Sequence, residues 1–396
     1  MKFGSPGHWC GLWVVAGLAA AWCHEPVNSD LSEEGRAVLA FLASLTDGER
    51  DGIVCGQNLG ISGDANGKFD RFIGALHTQS GKWPGMACVE LGHYKVTSAD
   101  ELSGAMDVFI DYYHNKKGLV TINWAPMSPS GGPAFSYWDG DLTSLTTNST
   151  WIASLDRIAA ALAKLRDAGV PVLWRPLQEN NGPSFWWATG NGHSFESWIA
   201  LYRHLFDYYV RTKGLDNLIW VYSPVGANSW KHWPFPGIDV VDVVAPTTYN
   251  MDLDLYGAYQ DAIDFSQGKP IGVAEFGPAT SYTEGNFDNR LYVSRFKERY
   301  PKMSYWVSWS DWSNVTVSLA ANDNVSAVLN DPYVICAPVP LSGVTAVSAA
   351  APLAVVPVHC SGMRPMLLNG RNVSASPAPC LGNYFYPAPR QGSVMR

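Results

Sequence analysis

Two glutamates stand at points where short strand-like runs end. Glu179 follows the run PVLWRPLQ, and Glu275 stands inside IGVAEFG. Hydrolysis of a glycosidic bond uses a pair of carboxyl groups, one to protonate the leaving oxygen and one to meet the oxocarbenium-like centre. A glutamate after IGVA is costly to bury without a function. We therefore predict that Glu179 is the general acid/base and Glu275 the nucleophile of a double displacement.

Polar and aromatic residues near the two glutamates are candidates for supporting roles. Arg175 precedes Glu179 by four residues, and a cation beside one carboxylate would hold that carboxylate ionised. Tyr249 ends the run before that of Glu275, so we expect its hydroxyl to donate a hydrogen bond to Glu275. Core packing is the default for any single tryptophan. As a set, with Trp309 first, the following are predicted to stack on pyranose rings: Trp186, Trp187, Trp309 and Trp312.

Eight short β-branched or apolar runs alternate with stretches of helical periodicity, a pattern typical of repeated βα units. The runs cover residues 53–58, 86–91, 119–124, 171–177, 218–223, 243–249, 271–276 and 303–309. Helices are predicted over Trp151–Ala168, between an N-cap at Thr150 and a C-cap at Gly169, and over Phe195–Arg211. Eight runs favour an α/β fold of the closed (β/α)8 TIM-barrel type, whose active site lies at the C-terminal strand ends. An open doubly wound sheet is the alternative, but the sequence has no GxGxxG motif and no P-loop.

Composition narrows the class of partner. The chain has 17 Trp, 18 Tyr and 15 Phe, more than a core needs, which favours a surface that grips sugar rings over a tryptophan-rich core. The net charge is −8 and no dense Lys/Arg run occurs, so we expect neither nucleic acid nor a membrane as partner. The 9 histidines are scattered without the spacing of a metal site, which disfavours a metal-dependent deacetylase or amidohydrolase. We expect no cofactor, a polysaccharide or oligosaccharide substrate, and a monomer.

The two ends of the chain differ from its middle. An apolar stretch over residues 11–22 predicts a signal peptide, residues 1–23, with an uncleaved anchor as the alternative, and hence a secreted, extracellular protein. The catalytic domain is placed at residues 24–335. Residues 336–396 form an irregular Ala/Pro-rich extension, either a flexible linker or a small module closed by Cys360 and Cys380. Cys55 and Cys88 end neighbouring strands and are candidates for a disulfide. Sequons occur at Asn148, Asn314, Asn324 and Asn372.

Several segments resemble glycoside hydrolase family 26, whose members are mostly β-mannanases on (β/α)8 barrels. The segment WRPLQENNGPSFWW at 174–187 is similar to the acid/base motif of the family, and VAEFG at 273–277 is similar to its nucleophile motif. INW at 122–124 and VSWSDW at 307–312 resemble its third-strand and eighth-strand signatures. The resemblance runs from about Gly56 to Tyr333. It implies the same roles for both glutamates, a partner role for Tyr249, and walls of the cleaving subsite at Trp124 and Trp309.

This chain departs from the family pattern at three positions near the predicted cleaving subsite. Gln178 and Ala125 stand where a typical mannanase of the family has histidine, and Thr247 stands where aspartate is usual. Both glutamates are retained, so glycoside hydrolysis remains the prediction. The expected substrate is β-1,4-mannan. Mixed-linkage β-1,3-1,4-glucan and β-1,3-xylan are alternatives, because the replaced groups would touch the sugar there, and so is a barrel that binds carbohydrate without turnover.

Overall fold

The computed structural model describes residues 25–61, 63–95, 97–226 and 232–341, all of them in one compact unit. Parallel strands form a closed barrel, because the eighth barrel strand pairs with the first. The sixth and seventh strands each consist of two segments. In chain order the barrel strands are Ile53–Ile61, Met86–Gly92, Leu119–Ala125, Val172–Pro176, Leu218–Tyr222, Val243–Val244 with Thr247–Tyr249, Ile271–Val273 with Glu275–Gly277, and Met303–Ser308. The predicted (β/α)8 barrel is confirmed.

Two shorter strands lie beside the barrel. Val334–Ala337 runs parallel to the first barrel strand, and Trp83–Pro84 pairs antiparallel with Val334–Ala337. The predicted boundary between residues 335 and 336 thus falls inside a strand that is bonded to the barrel. Residues 342–396 and the predicted signal peptide lie outside the described residues.

Helices surround the barrel, and several continue into short π-helical turns. The α-helices are Glu33–Thr46, Ala65–Phe69, Ala75–Ser80, Ala99–Asp111, Ser149–Asp167, Phe195–Phe206, Ala258–Ser266, Arg290–Arg299 and Val325–Leu329; the π-helical turns are Asp70–Gly74, Tyr112–Lys116 and Asp207–Thr212; the 3-10 turns are Leu142–Thr147, Thr189–Asn191 and Leu319–Ala321. No helix in the described ranges is long and apolar enough to cross a membrane.

The helix predicted over Trp151–Ala168 begins earlier than expected. Its N-cap is Asn148, whose side chain accepts a hydrogen bond from the amide of Trp151, so the prediction of Thr150 was wrong. Asparagine is among the strongest N-cap residues, which is why it takes this position. The C-cap is Ala168, so the prediction of Gly169 was wrong by one residue. Gly169 follows the cap with φ 69°, the left-handed conformation in which glycine commonly ends a helix.

Strand alternation separates two cores. Inward-facing side chains such as Val54, Met86 and Leu173 pack with the helix Glu33–Thr46, which therefore covers one end of the barrel. Outward-facing side chains pack against the surrounding helices. Cys88 belongs to the inner core and Cys55 to the outer one, and both are free thiols. The suggested Cys55–Cys88 disulfide is wrong, since the two side chains lie on opposite faces of the barrel wall.

Candidate active site

An open cleft lies at the C-terminal ends of the barrel strands and encloses about 1200 Å³. Both predicted catalytic glutamates line it. Active sites of (β/α)8 barrels lie at this end, because the loops that follow the strands converge there. Other residues that line the cleft include Leu59, Lys68, Arg71, Glu90, His93, Tyr94, Phe135, Gln178, Phe185, Tyr249, Trp309 and Trp312.

A layer of polar side chains forms the floor of this cleft. Glu90, Asn123 and Arg175 are in register on the second, third and fourth strands, so their side chains point to the same side of the wall. All three are buried. Thr247 and Glu275 are likewise in register on the sixth and seventh strands. The barrel thus brings charged groups from distant parts of the sequence onto one level.

Glu275 is buried between two donors. The Nη2 atom of Arg175 contacts its Oε1 as a buried ion pair, and the hydroxyl of Tyr249 donates to its Oε2 over 3.0 Å. Burial and the charge of Glu275 raise the pKa of Tyr249 well above 10, so Tyr249 remains a donor. Arg175 is fully buried and pairs with Glu275.

Glu179 lies on a tightly held turn after the fourth strand. Its φ is 55° and that of Leu177 is 52°, both in the left-handed region that non-glycine residues seldom adopt. The amide of Glu179 donates to Ser223 over 2.7 Å, and the indole of Trp187 donates to the carbonyl of Gln178 over 2.9 Å. Strain of this kind persists only where the surroundings fix it. The turn is therefore a rigid support for Glu179.

The two glutamates differ in their charged surroundings. Burial, followed by the charge of Glu275, raises the pKa of Glu179 to about 8, so it holds a proton at neutral pH. Burial also raises the pKa of Glu275, but the charge and hydrogen bond of Arg175 and the bond from Tyr249 oppose that shift. Opposed environments of this kind separate an acid from an anion in a carboxyl pair. The arrangement favours a protonated Glu179 beside an ionised Glu275.

Glu90 and His93 join this site although the sequence analysis did not single them out. Glu90 accepts a hydrogen bond of 2.7 Å from Nε2 of Gln178, and Nδ1 of His93 lies 2.5 Å from its other oxygen. Glu90 had the same sequence signal as Glu275, an acid near the C-terminal end of an apolar strand. Gln178 lines the cleft as predicted, with its amide nitrogen held by Glu90.

The predicted aromatic residues divide into two groups. Trp309 and Trp312 are partly exposed and line the cleft; the ring of Trp309 lies 6.0 Å from Cζ of Arg175. Trp187 is fully buried and stacks on Phe185 at 4.6 Å, so the ring available in the cleft is Phe185, and the prediction for Trp187 was wrong. Trp186, which precedes Trp187, is also fully buried and does not line the cleft.

Trp124 does not line the cleft, which corrects the expectation that it forms a wall of the cleaving subsite. It follows the inward-facing Asn123, so strand alternation turns its ring outward. There it packs 5.3 Å from Trp151 and 6.4 Å from Trp174. Within the described ranges, no group of three or more His, Cys, Asp and Glu side chains is placed to hold a metal ion.

Residues 27–338 match the model for glycosyl hydrolase family 26. Mannan endo-1,4-beta-mannosidase A and B of Caldalkalibacillus mannanilyticus is 30% identical over 304 residues, which is 72% of this chain and 58% of that protein. Mannan endo-1,4-beta-mannosidase of Bacillus subtilis strain 168 is 28% identical over 81% of this chain and 90% of its own length. The solved structure of Bacillus subtilis mannanase man26 superposes with a TM-score of 0.68 at 26% identity, covering 78% of this chain and 94% of that one. This chain therefore belongs to glycosyl hydrolase family 26 and is a glycoside hydrolase.

Proposed function

We propose that this protein is a secreted, retaining endo-β-glycanase that hydrolyses β-1,4-mannan. The observation that carries the proposal is the pair of glutamates in one cleft, of which Glu179 favours its protonated form and Glu275 is held by two donors. Glu275 attacks the anomeric carbon while Glu179 protonates the departing oxygen. Glu179 then takes a proton from a water molecule whose oxygen attacks the anomeric carbon. The bond to Glu275 breaks, the sugar leaves with the water's hydroxyl group, and both glutamates are restored.

The floor of the cleft supplies what this chemistry needs. Arg175 and Tyr249 favour the anionic form of Glu275, which is the form that attacks. The proton of Glu179 is retained because burial and the nearby anion disfavour a second charge. No step in this scheme requires a cofactor.

The shape and lining of the cleft support a polymeric substrate. It is open, and aromatic rings such as the exposed Phe135 and the partly exposed Trp309 line it together with the two glutamates. Such rings stack on the apolar faces of pyranoses. Mannan is the substrate named for both relatives described above.

Mixed-linkage glucan and β-1,3-xylan form the second candidate substrate class. The residue beside the acid/base supports this alternative. Gln178 lines the cleft next to Glu179 and is fixed by Glu90. An amide differs from the histidine of the family pattern in its donors and in its charge. A change of this kind beside the acid/base alters which hydroxyl arrangement is accepted.

Secretion is part of the proposal and rests on the apolar stretch at residues 11–22. Three of the sequons, at Asn148, Asn314 and Asn324, are exposed and hence accessible to glycosylation. N-terminal sequencing of the exported protein is expected to begin near residues 20 to 24, and retention of the apolar stretch would contradict secretion by cleavage.

The function is tested by reducing-sugar release from galactomannan, mixed-linkage glucan and β-1,3-xylan in parallel. Release from galactomannan is expected, together with none from a Glu275→Ala control. Release from glucan or xylan alone would transfer the proposal to that substrate. Release from none of the three would contradict an enzymatic function and favour a carbohydrate-binding barrel, and full activity in Glu275→Ala would contradict the nucleophile assignment.

A further inference from the structure

His93 is a cleft imidazole that the double displacement does not use. It directly follows the second barrel strand and lines the cleft beside Glu179, and its side chain is 19% exposed. Its Nδ1 lies 2.5 Å from Oε1 of the buried Glu90. The two nitrogens lie on different edges of the ring, so Nε2 is directed away from Glu90. Because His93 lines the cleft, this nitrogen is available for a hydrogen bond to a ligand there.

The backbone holds His93 in this orientation at a cost. Its φ is 80°, in the left-handed region that non-glycine residues seldom adopt. The His93 amide donates to Ala125 over 2.7 Å, and the Ala134 amide donates to the His93 carbonyl over 2.7 Å. These bonds tie together the loops that follow the second and third strands. Strained non-glycine residues of this kind cluster at binding and active sites.

Three aromatic rings surround the imidazole. The ring centroids of Tyr94, Phe135 and Phe185 lie 4.4, 5.6 and 6.0 Å from that of His93. All three line the cleft, and Tyr94 and Phe135 are 53% and 49% exposed. An apolar ring surface with a hydrogen-bond donor at its base matches a pyranose, which has apolar faces and a rim of hydroxyls.

The charge of Glu90 favours a protonated His93 that donates toward the cleft. Burial lowers the pKa of His93, but the contact with Glu90 and its charge outweigh this, so the pKa is raised overall. A protonated imidazole donates from both nitrogens, to Glu90 through one and to the cleft through the other. Glu90 also holds Nε2 of Gln178, so one carboxylate orients the imidazole and the residue that precedes Glu179.

We propose that His93, Tyr94, Phe135 and Phe185 form a subsite for one pyranose unit of the glycan. His93 donates a hydrogen bond from Nε2 to a sugar hydroxyl, the rings stack on the apolar face, and Glu90 is a positioning residue that acts through His93. The occupant is a unit of the substrate chain, because the subsite is continuous with the cleft that contains Glu179 and Glu275. This inference rests on the proposed glycanase function.

Binding without turnover tests the subsite. In a Glu179→Gln background, the dissociation constants of manno-, mixed-linkage gluco- and β-1,3-xylo-hexaose are measured by titration calorimetry, and the tightest ligand is used. Adding His93→Phe keeps an aromatic ring but removes the donor, and is expected to weaken binding about 10- to 100-fold. The matched control is His77→Phe, whose native ring stacks on Trp83 at 4.0 Å and does not line the cleft; it is expected to leave binding unchanged.

Glu90→Gln tests the positioning role. It is expected to weaken binding less than His93→Phe does, and to have a smaller effect when His93→Phe is already present, because Glu90 acts through the imidazole. Melting temperatures show whether each variant is folded. Glu90→Asp keeps the carboxylate, so this variant is expected to bind more tightly than Glu90→Gln.

Unchanged binding in a folded His93→Phe protein would overturn the proposal, as would the absence of binding by all three hexaoses. If Glu90→Gln weakens binding by the same factor with and without His93→Phe, the positioning role of Glu90 is overturned. Failure of the proposed function is recognised separately, as the absence of hydrolysis by the unaltered enzyme on every glycan.

Discussion

The hydroxyl of Tyr249 donates a 3.0 Å hydrogen bond to Oε2 of Glu275, while Arg175 contacts Oε1 of the same carboxylate. Tyr249 ends one strand segment and Glu275 begins the neighbouring one, with Thr247 in register with Glu275 and Tyr249 with Gly277. One carboxylate therefore has a donor on each oxygen before any substrate arrives. Preorganised donors of this kind stabilise charge without reorganisation during the reaction.

Tyr249→Phe is expected to lower kcat about 10- to 100-fold, because a hydrogen bond to a charged group contributes roughly 1.5–3 kcal/mol. The KM should change little, since the lost bond acts on Glu275. Steady-state kinetics on a soluble β-glycan measure both constants. Tyr208→Phe is the control, because Tyr208 also donates to a carboxylate, Asp156, over 2.6 Å but on the surface. An unaltered kcat in Tyr249→Phe would argue against a role for this bond.

The pH profile of kcat/KM is expected to be bell-shaped. Its basic limb should lie at a higher pH than the pKa of an ordinary carboxyl group. Activity requires the proton on Glu179, whose pKa is raised to about 8 by burial and by Glu275, so activity is retained above the ordinary range of a carboxyl group. It should fall as pH rises past that pKa. The acid limb should reflect protonation of Glu275, whose pKa burial also raises.

Glu179→Gln tests the assignment of that limb. With an aryl β-glycoside whose leaving group needs no proton, the basic limb should disappear from the variant, because glutamine does not titrate. A basic limb that persists unchanged in Glu179→Gln would assign it to another group.

Phe135→Ala is expected to raise the KM for polysaccharides and long oligosaccharides several-fold and to leave kcat nearly unchanged. The exposed ring lines the cleft and provides stacking area, which truncation removes. Kinetics on a series of oligosaccharides of increasing length measure the effect. Phe195→Ala removes a ring of similar exposure, 39%, outside the cleft and should have no effect on KM. The same KM change in both variants would contradict a substrate contact.

Arg175→Gln is expected to reduce the free energy of unfolding by about 3–5 kcal/mol at neutral pH, because it leaves Glu275 as an unpaired buried charge. The deficit should shrink as pH falls, since protonation of Glu275, with its raised folded-state pKa, removes that charge. Chemical denaturation at several pH values measures this. Arg203→Gln breaks an exposed pair with Asp239 and should cost less than about 1 kcal/mol. A deficit independent of pH would show that packing, and not the charge, is lost.

Much of the fold follows from sequence pattern. The eight apolar runs coincide with the eight barrel strands, because buried parallel strands are continuous apolar segments separated by helices. Glu179 and Glu275 were found by the same logic, as acids where such runs end. The N-cap at Asn148 was missed because several cap-forming residues stand side by side at 146–150. The sequence does not show which of their side chains bonds to the first free amides of the helix.

The sequence by itself determined the barrel, its order of strands, the two glutamates and the family resemblance, since these depend on local periodicity and motif spacing. Only the tertiary structure decided which side chain faces which. A difference of one position along a strand reverses a side chain, and so Asn123 faces inward and Trp124 outward. Likewise, the pairing of Arg175 with Glu275 and of Glu90 with Gln178 joins residues 100 and 88 positions apart. Such pairs form because barrel closure brings strand ends together, which no local pattern records.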